Sequence, residues 1–217
     1  MHYLPPANTG LNLIYCDKDL LVVDKPAGLL SVPGRGKDKQ DCLATRVQAD
    51  YPEALIVHRL DMATSGLMLM ARDEHMQRQL SRLFEHRLVE KRYIAIVAGK
   101  LAKATGEIDL PLITDWPNRP KQKVDYDAGK PALTRYQLLD YNAANDTSRV
   151  ELKPQTGRTH QLRVHMLQIG HPILGDGLYA PAVCQAKSPR LLLHAESLDF
   201  IHPLTHKSLN IKSESPF

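Results

Sequence analysis

Cysteine, tryptophan and long apolar runs are all scarce in this chain of 217 residues. The three cysteines, Cys16, Cys42 and Cys184, are odd in number and widely spaced, with no CxxC pair. That excludes a disulfide scaffold and suggests reduced thiols in a reducing compartment. Stretches free of Asp, Glu, Lys and Arg, such as Val164 to Gly175, are broken by His, Gly and Pro, so no membrane span is expected. Met1-His2-Tyr3-Leu4-Pro5-Pro6 has neither the basic nor the apolar region of a signal peptide. A cytoplasmic location follows as the expectation. Neither sign of charge dominates: 28 Lys and Arg against 24 Asp and Glu leave +4, a mild bias compatible with an anionic partner. With 43% hydrophobic and 24% charged residues, disorder throughout is excluded, and one domain over residues 1–217 is the simplest reading.

Motifs for metals and nucleotides are missing too. There is no HExxH, and His202 and His206 straddle Pro203, so no metal site is expected. His194-Ala195-Glu196 fits the HxE of zinc deaminases, but no PCxxC follows it. Gly175-Asp176-Gly177 with Ala180 mimics GxGxxA late in the chain, where Pro181 would interrupt a helix. His58-Arg59-Leu60-Asp61 echoes a kinase catalytic loop with its Asp displaced and no companion motifs. Ser65 lacks the glycine two residues earlier that a nucleophile elbow requires.

What is present is a mixed α+β pattern. Leu11 to Cys16 and Leu20 to Asp24 read as a hairpin across Asp17-Lys18-Asp19, followed by an exposed loop from Gly28 to Lys39. Asp41 is placed to cap a helix ending before Pro52. Leu55 to Val57 and Leu67 to Ala71 read as buried strands. Glu74 to Arg87 carries Met76, Leu80, Leu83 and Phe84 on one helical stripe. Further strands are expected at Tyr93 to Gly99, Thr105 to Leu110, Leu133 to Leu139, Arg149 to Leu152 and Leu191 to Ile201. Pro111 to Pro131 reads as a long basic loop, and Thr159 to Ile169 as an amphipathic helix closed by Gly170.

Four segments could carry chemistry. The loop from His58 to Gly66 sets a cation, a carboxylate and two hydroxyls between apolar strands, where desolvation is costly without partners. Asp61 is there either a turn former bonding the amides near Thr64, or a nucleophile or base kept ionised by a cation. The second segment, Gly157 to Arg163, sets His160 and Arg163 one turn apart, with Arg158 near the helix start where a phosphate could sit. It could equally be a solvated polar face. Lys91-Arg92-Tyr93 joins an aromatic to two cations. Finally, Trp116-Pro117-Asn118-Arg119-Pro120-Lys121-Gln122-Lys123 is a stiff basic loop whose composition suits phosphate contacts and base stacking.

His58-Arg59-Leu60-Asp61-x-x-Thr64-Ser65-Gly66-Leu67 resembles the central motif of the RluA family of pseudouridine synthases. Asp24-Lys25-Pro26-Ala27-Gly28-Leu29 resembles that family's opening motif, and Lys91-x-Tyr93 its lysine and tyrosine segment. Gly157 to His165, continued by Gly170 to Asp176, resembles the last. The resemblance runs from about residue 11 to 212. It implies a mixed, largely antiparallel twisted sheet with flanking helices and a central cleft.

The resemblance also implies an RNA isomerase. The glycosidic bond of a uridine breaks, the uracil turns while bound, and its C5 is rejoined to C1′. Every atom is conserved, so no cofactor and no metal are implied. By position, Asp61 matches the catalytic aspartate. Tyr93 matches the tyrosine that stacks on the base and helps the proton leave C5, and Arg163 the arginine that pairs with the aspartate. Arg59 matches a residue that enters the RNA helix when the base flips, and His58 and His160, in the same motifs, are expected to contact RNA. Asn118, Arg119, Lys121, Lys123 and Arg158 are further candidates for RNA contact. Met62-Ala63 and the run Asp115 to Val124 resemble the family's dual-specificity branch, rather than larger relatives with an added N-terminal S4 domain. That implies tRNA and 23S rRNA stem-loops as partners, met without a membrane or protein partner by a monomer. The same chemistry on a different rRNA or tRNA uridine is one alternative, and an RNA chaperone that binds without modifying is the alternative from another class.

Overall fold

The computed structural model describes residues 3–217; Met1 and His2, which open the segment tested for a signal peptide, lie outside the described residues. Twelve strands and four α-helices follow in chain order among them. They are β1 (Leu13–Cys16), β2 (Leu20–Lys25), α1 (Leu43–Asp50), β3 (Leu55–Ile56), β4 (Ser65–Ala71), α2 (Glu74–Glu85), β5 (Glu90–Ala98) and β6 (Thr105–Asp109). There follow β7 (Leu112–Thr114), β8 (Gln122–Val124), β9 (Leu133–Asn142), β10 (Thr147–Pro154), α3 (Gln161–Gln168), α4 (Ala182–Gln185), β11 (Leu193–Ile201) and β12 (Ser208–Lys212). The chain falls into two compact units. One runs to Lys91 and takes in Ala195–Pro216; the other is Arg92–His194 with Phe217.

In the first unit the order is β1-β2-β4-β11, with β3 beside β4 and β12 beside β11. β2 and β4 pair antiparallel from Leu20 opposite Ala71 to Lys25 opposite Gly66. Alternation turns Leu20, Val22, Leu67 and Leu69 onto one face, where Met76 and Leu80 of α2 close the core. Asp73 caps α2 by accepting the Met76 N–H at 2.7 Å. In the second unit β5, β10, β9 and β6 form consecutive antiparallel pairs.

Several expectations need correction. The exposed loop from Gly28 to Lys39 is exposed only in part, since Leu29 and Ser31 are buried. Asp41 does not cap α1; it forks onto Arg46 at 2.7 and 2.8 Å, and Cys42 takes the cap position. Pro111 to Pro131 is not one loop, because β7 and β8 pair within it as a short hairpin. The segment after Ile201 adds a strand, β12. Finally, α3 is not amphipathic: every residue from Gln161 to Met166 is buried.

Candidate active site

The loop between β3 and β4 is held from below by backbone acceptors and one buried ammonium. Lys25, fully buried, points its Nζ at the carbonyls of Pro26, Leu29 and Met62 at 2.9, 2.8 and 3.1 Å. A lysine carries three donors, so three carbonyls offset the cost of burying it. Ser31 adds a reciprocal pair, donating to the Leu60 carbonyl at 2.7 Å and accepting the Leu60 N–H at 3.1 Å. The Met62 carbonyl also takes the Gly28 N–H at 2.8 Å, and the Thr64 N–H closes a turn on the Asp61 carbonyl at 3.1 Å. Between these fixed points Leu60 turns inward, Asp61 is half-buried and Arg59 is exposed. The loop thus presents a carboxylate and a cation on an immobilised backbone.

His58 faces the other way. Its ring stacks on Phe84 with centroids 4.5 Å apart, and its Nε2 accepts the Leu69 N–H at 2.9 Å. Burial, with a smaller push from the Lys91 charge, lowers its pKa to about 3, so the imidazole is neutral at pH 7. The geometry makes it a brace between loop and strand rather than the RNA contact expected of it.

Tyr93 stands half-buried in β5, opposite Leu152 of β10. Beside it Arg92 pairs with Glu151, which also takes Lys153 at 2.9 Å. Burial lowers the pKa of Lys91.

On α3, Arg163 is buried and forks onto Asp176, with Nε at 2.8 Å and Nη2 at 2.6 Å. Asp176 Oδ1 also accepts the N–H groups of Leu178 and Tyr179 at 2.9 and 3.2 Å. A buried guanidinium needs such a carboxylate, and the bidentate fork fixes its plane. The rest of α3 is satisfied similarly. Gln161 donates to the Leu133 carbonyl and the Thr134 hydroxyl, and His165 bonds Thr134 and the Leu110 carbonyl. His160, at the N-cap with φ 54°, shares a 2.6 Å bond with the Tyr179 hydroxyl. Arg158 precedes α3, is exposed and donates to the Pro131 carbonyl at 3.1 Å.

The basic segment is the turn of the β7–β8 hairpin. Asp115 accepts the Asn118 N–H on its backbone and the Asn118 Nδ2 on its side chain, at 3.0 and 2.8 Å. Arg119 lies over the exposed Trp116 ring at 4.0 Å. Asn118 and Lys123 are exposed and Lys121 is half-buried; Lys123 is paired with Asp125 at 3.1 Å.

A match to the RNA pseudouridylate synthase family spans residues 19–168 and so runs through both units. The chain belongs to that family. It is therefore an isomerase that converts uridine in RNA to pseudouridine. Over 216 residues it is 53% identical to the dual-specificity RNA pseudouridine synthase RluA of Escherichia coli strain K12, covering 100% of this chain and 98% of that protein. The protein of the same name from Haemophilus ducreyi is 47% identical over 220 residues, covering 100% and 99%. Among solved structures, human RNA pseudouridylate synthase domain containing 1 superposes with a TM-score of 0.81 at 30% identity, covering 99% of this chain and 87% of that one. The fold class expected from the motifs is thereby borne out. No helix among the described residues is long and apolar enough to cross a membrane.

The side chains that motif reading left without a role are Lys25, Ser31, Asp176 and Tyr179. Asp176 had one signal: a buried arginine demands an acid, and Gly175-Asp176 follows within the same motif. A further group, Asp17, Asp19 and His202, brings ligand-type atoms within 4.8 Å. His202 Nδ1, however, accepts the N–H groups of Leu204 and Thr205, both at 3.1 Å. The ring proton therefore sits on Nε2, facing Asp17 at 3.3 Å and Asp19 at 3.8 Å. A metal would need that nitrogen bare, so the donor set does not fit one.

Proposed function

We propose that this isomerase modifies uridines in two kinds of RNA stem-loop, the tRNA anticodon arm and a hairpin of 23S rRNA. What carries the reading is the match of the whole chain to relatives named for dual specificity. Asp61 acts at the ribose of the target. The C1′–N1 bond breaks, the uracil turns, and C5 bonds to C1′; C5 then loses its proton and N1 gains one. Tyr93 stacks on the base, and Arg163 supplies the cation of the reaction centre, its plane fixed by Asp176. Arg59 fills the space left by the flipped base, offsetting part of the few kcal/mol of lost stacking. The exposure of Arg59 and the fixed backbone beneath Asp61 support these roles. Asn118, Arg119, Lys121, Lys123, Arg158 and His160 contribute RNA contacts. The enzyme acts as a monomer in the cytoplasm.

The test is tritium release from C5-labelled uridine in tRNA and 23S hairpin transcripts, with wild type and Asp61→Ala. Release from both RNAs, lost in the variant while RNA binding persists, is the expected result. Release from one RNA alone would narrow the substrate range. Undiminished release by Asp61→Ala would remove the aspartate from the chemistry, and binding without release by the wild type would favour a chaperone.

A further inference from the structure

We propose that Tyr179 is a positioning residue that couples the β7–β8 hairpin to Arg163, its hydroxyl setting RNA affinity and its ring setting the rate of the chemical step. The inference rests on the reading of Arg163 and the hairpin given above and adds a residue that reading does not use.

Four separate contacts converge on this one side chain. The phenolic oxygen accepts the N–H of Gln122, the first residue of β8, at 2.8 Å. The same oxygen shares the 2.6 Å bond with His160 Nδ1 at the start of α3. The side chain packs against the small cluster of Leu112, Ala132 and Val164, which joins β7 to α3. Finally, the Arg163 guanidinium lies 5.1 Å from the ring centroid. The backbone of Tyr179 is tied to the same arginine, because its N–H bonds the Asp176 carboxylate that holds the guanidinium.

The hairpin has a narrow footing. Its strands are three residues each, and a two-stranded ribbon is marginal in water without packing against something else. The bond from Gln122 anchors the hairpin at the start of β8, close behind the turn that bears Trp116, Arg119 and Lys121. Loss of that bond lets the cationic turn sample more orientations, so ordering it on RNA costs more. The ring does a different task. A planar face under a guanidinium limits its tilt, which matters for a group that must meet a carboxylate at one angle. His160 supports the arrangement: it holds a left-handed φ of 54° that a non-glycine side chain adopts only under constraint.

The two tasks separate by substitution. Tyr179→Phe removes the hydroxyl and keeps the ring; Tyr179→Leu removes both. Steady-state kcat and KM are read on a tRNA anticodon stem-loop transcript, with thermal melts as the check on folding. Tyr179→Phe is expected to raise KM about five- to tenfold and to lower kcat by much less, the scale of one or two hydrogen bonds. Tyr179→Leu is expected to add a fall in kcat of tenfold or more. Equal changes in kcat and KM in Tyr179→Phe, or none in either, would overturn the coupling. If Tyr179→Leu does not fold, the split in Tyr179→Phe decides alone. Two controls separate this from failure of the underlying reading. Arg119→Ala with Lys121→Ala must raise KM, and Arg163→Lys must lower kcat. If these move as stated and Tyr179→Phe does not, the coupling alone is wrong; if they do not move, the hairpin and arginine roles are wrong.

Discussion

At the scale of single residues, the polar groups of the central loop divide by direction, and His58 shows the consequence. Its pKa of about 3 in the fold lies below the ordinary histidine value near 6.5. As pH falls through 6.5 the unfolded chain takes a proton that the folded chain refuses. Stability is therefore fully present above 6.5 and is lost as pH falls toward 3, by at most roughly 1.4 kcal/mol per pH unit. His58→Gln, which keeps an acceptor for the Leu69 N–H, should flatten this part of the profile. Urea unfolding of both proteins between pH 4.5 and 8 checks it, and a constant difference between them would show that the ring is not neutral in the fold. The sequence exposed part of this site. A cation, a carboxylate and two hydroxyls between apolar strands mark the loop, because burying such groups is costly. The direction each one faces is not written there. Nor is Lys25, whose acceptors are main-chain carbonyls and so leave no residue pattern.

At the scale of elements, legibility follows how evenly a segment is buried. α2 has a wet face and a dry face, so its 3.6-residue period shows. α3 is buried all round from Gln161 to Met166, and its Gln161, Arg163 and His165 are polar only because each has a fixed partner. Pattern alone reads those three as a solvated face. The β7–β8 hairpin was hidden by Pro117, Pro120 and the basic residues of its turn, and its strands are too short to show alternation. Close approach of backbones is equally invisible to pattern but gives a sharp prediction. Gly66 has φ 115°, and a Cβ there would lie 2.3 Å from the Ala195 carbonyl oxygen and 2.5 Å from its nitrogen. Gly66→Ala must force β4 from its neighbour, at a cost of roughly 2–4 kcal/mol, a fall in Tm of about 5–15 °C. Gly157 lies in another motif, at an ordinary φ with nothing within 4 Å, so Gly157→Ala should shift stability by less than about 0.5 kcal/mol. Paired thermal melts compare them, and similar losses would refute the backbone-approach argument.

At the scale of the whole molecule, a net charge of +4 on 217 residues is too weak to hold a polyanion by itself. Affinity for RNA must come from where cations are exposed, and their existing partners decide how much each adds. Arg119 is exposed at the hairpin turn, stacked on an aromatic ring that does not neutralise it. Lys123 is already paired with Asp125 at 3.1 Å, and the Ala128 N–H bond, followed by that pairing and the Asp127 N–H, lowers the carboxyl's pKa. A phosphate that binds Lys123 must compete with Asp125, whereas one that binds Arg119 displaces only counterions. The logarithm of the binding constant should fall linearly with the logarithm of salt concentration, with a slope set by the number of phosphates neutralised. Arg119→Ala should reduce that slope by about one, and Lys123→Ala by clearly less. Filter binding of a stem-loop transcript from about 0.05 to 0.3 M salt measures both. Equal reductions would mean that the Lys123–Asp125 pair opens on RNA, and no reduction in either would take the hairpin off the phosphate backbone.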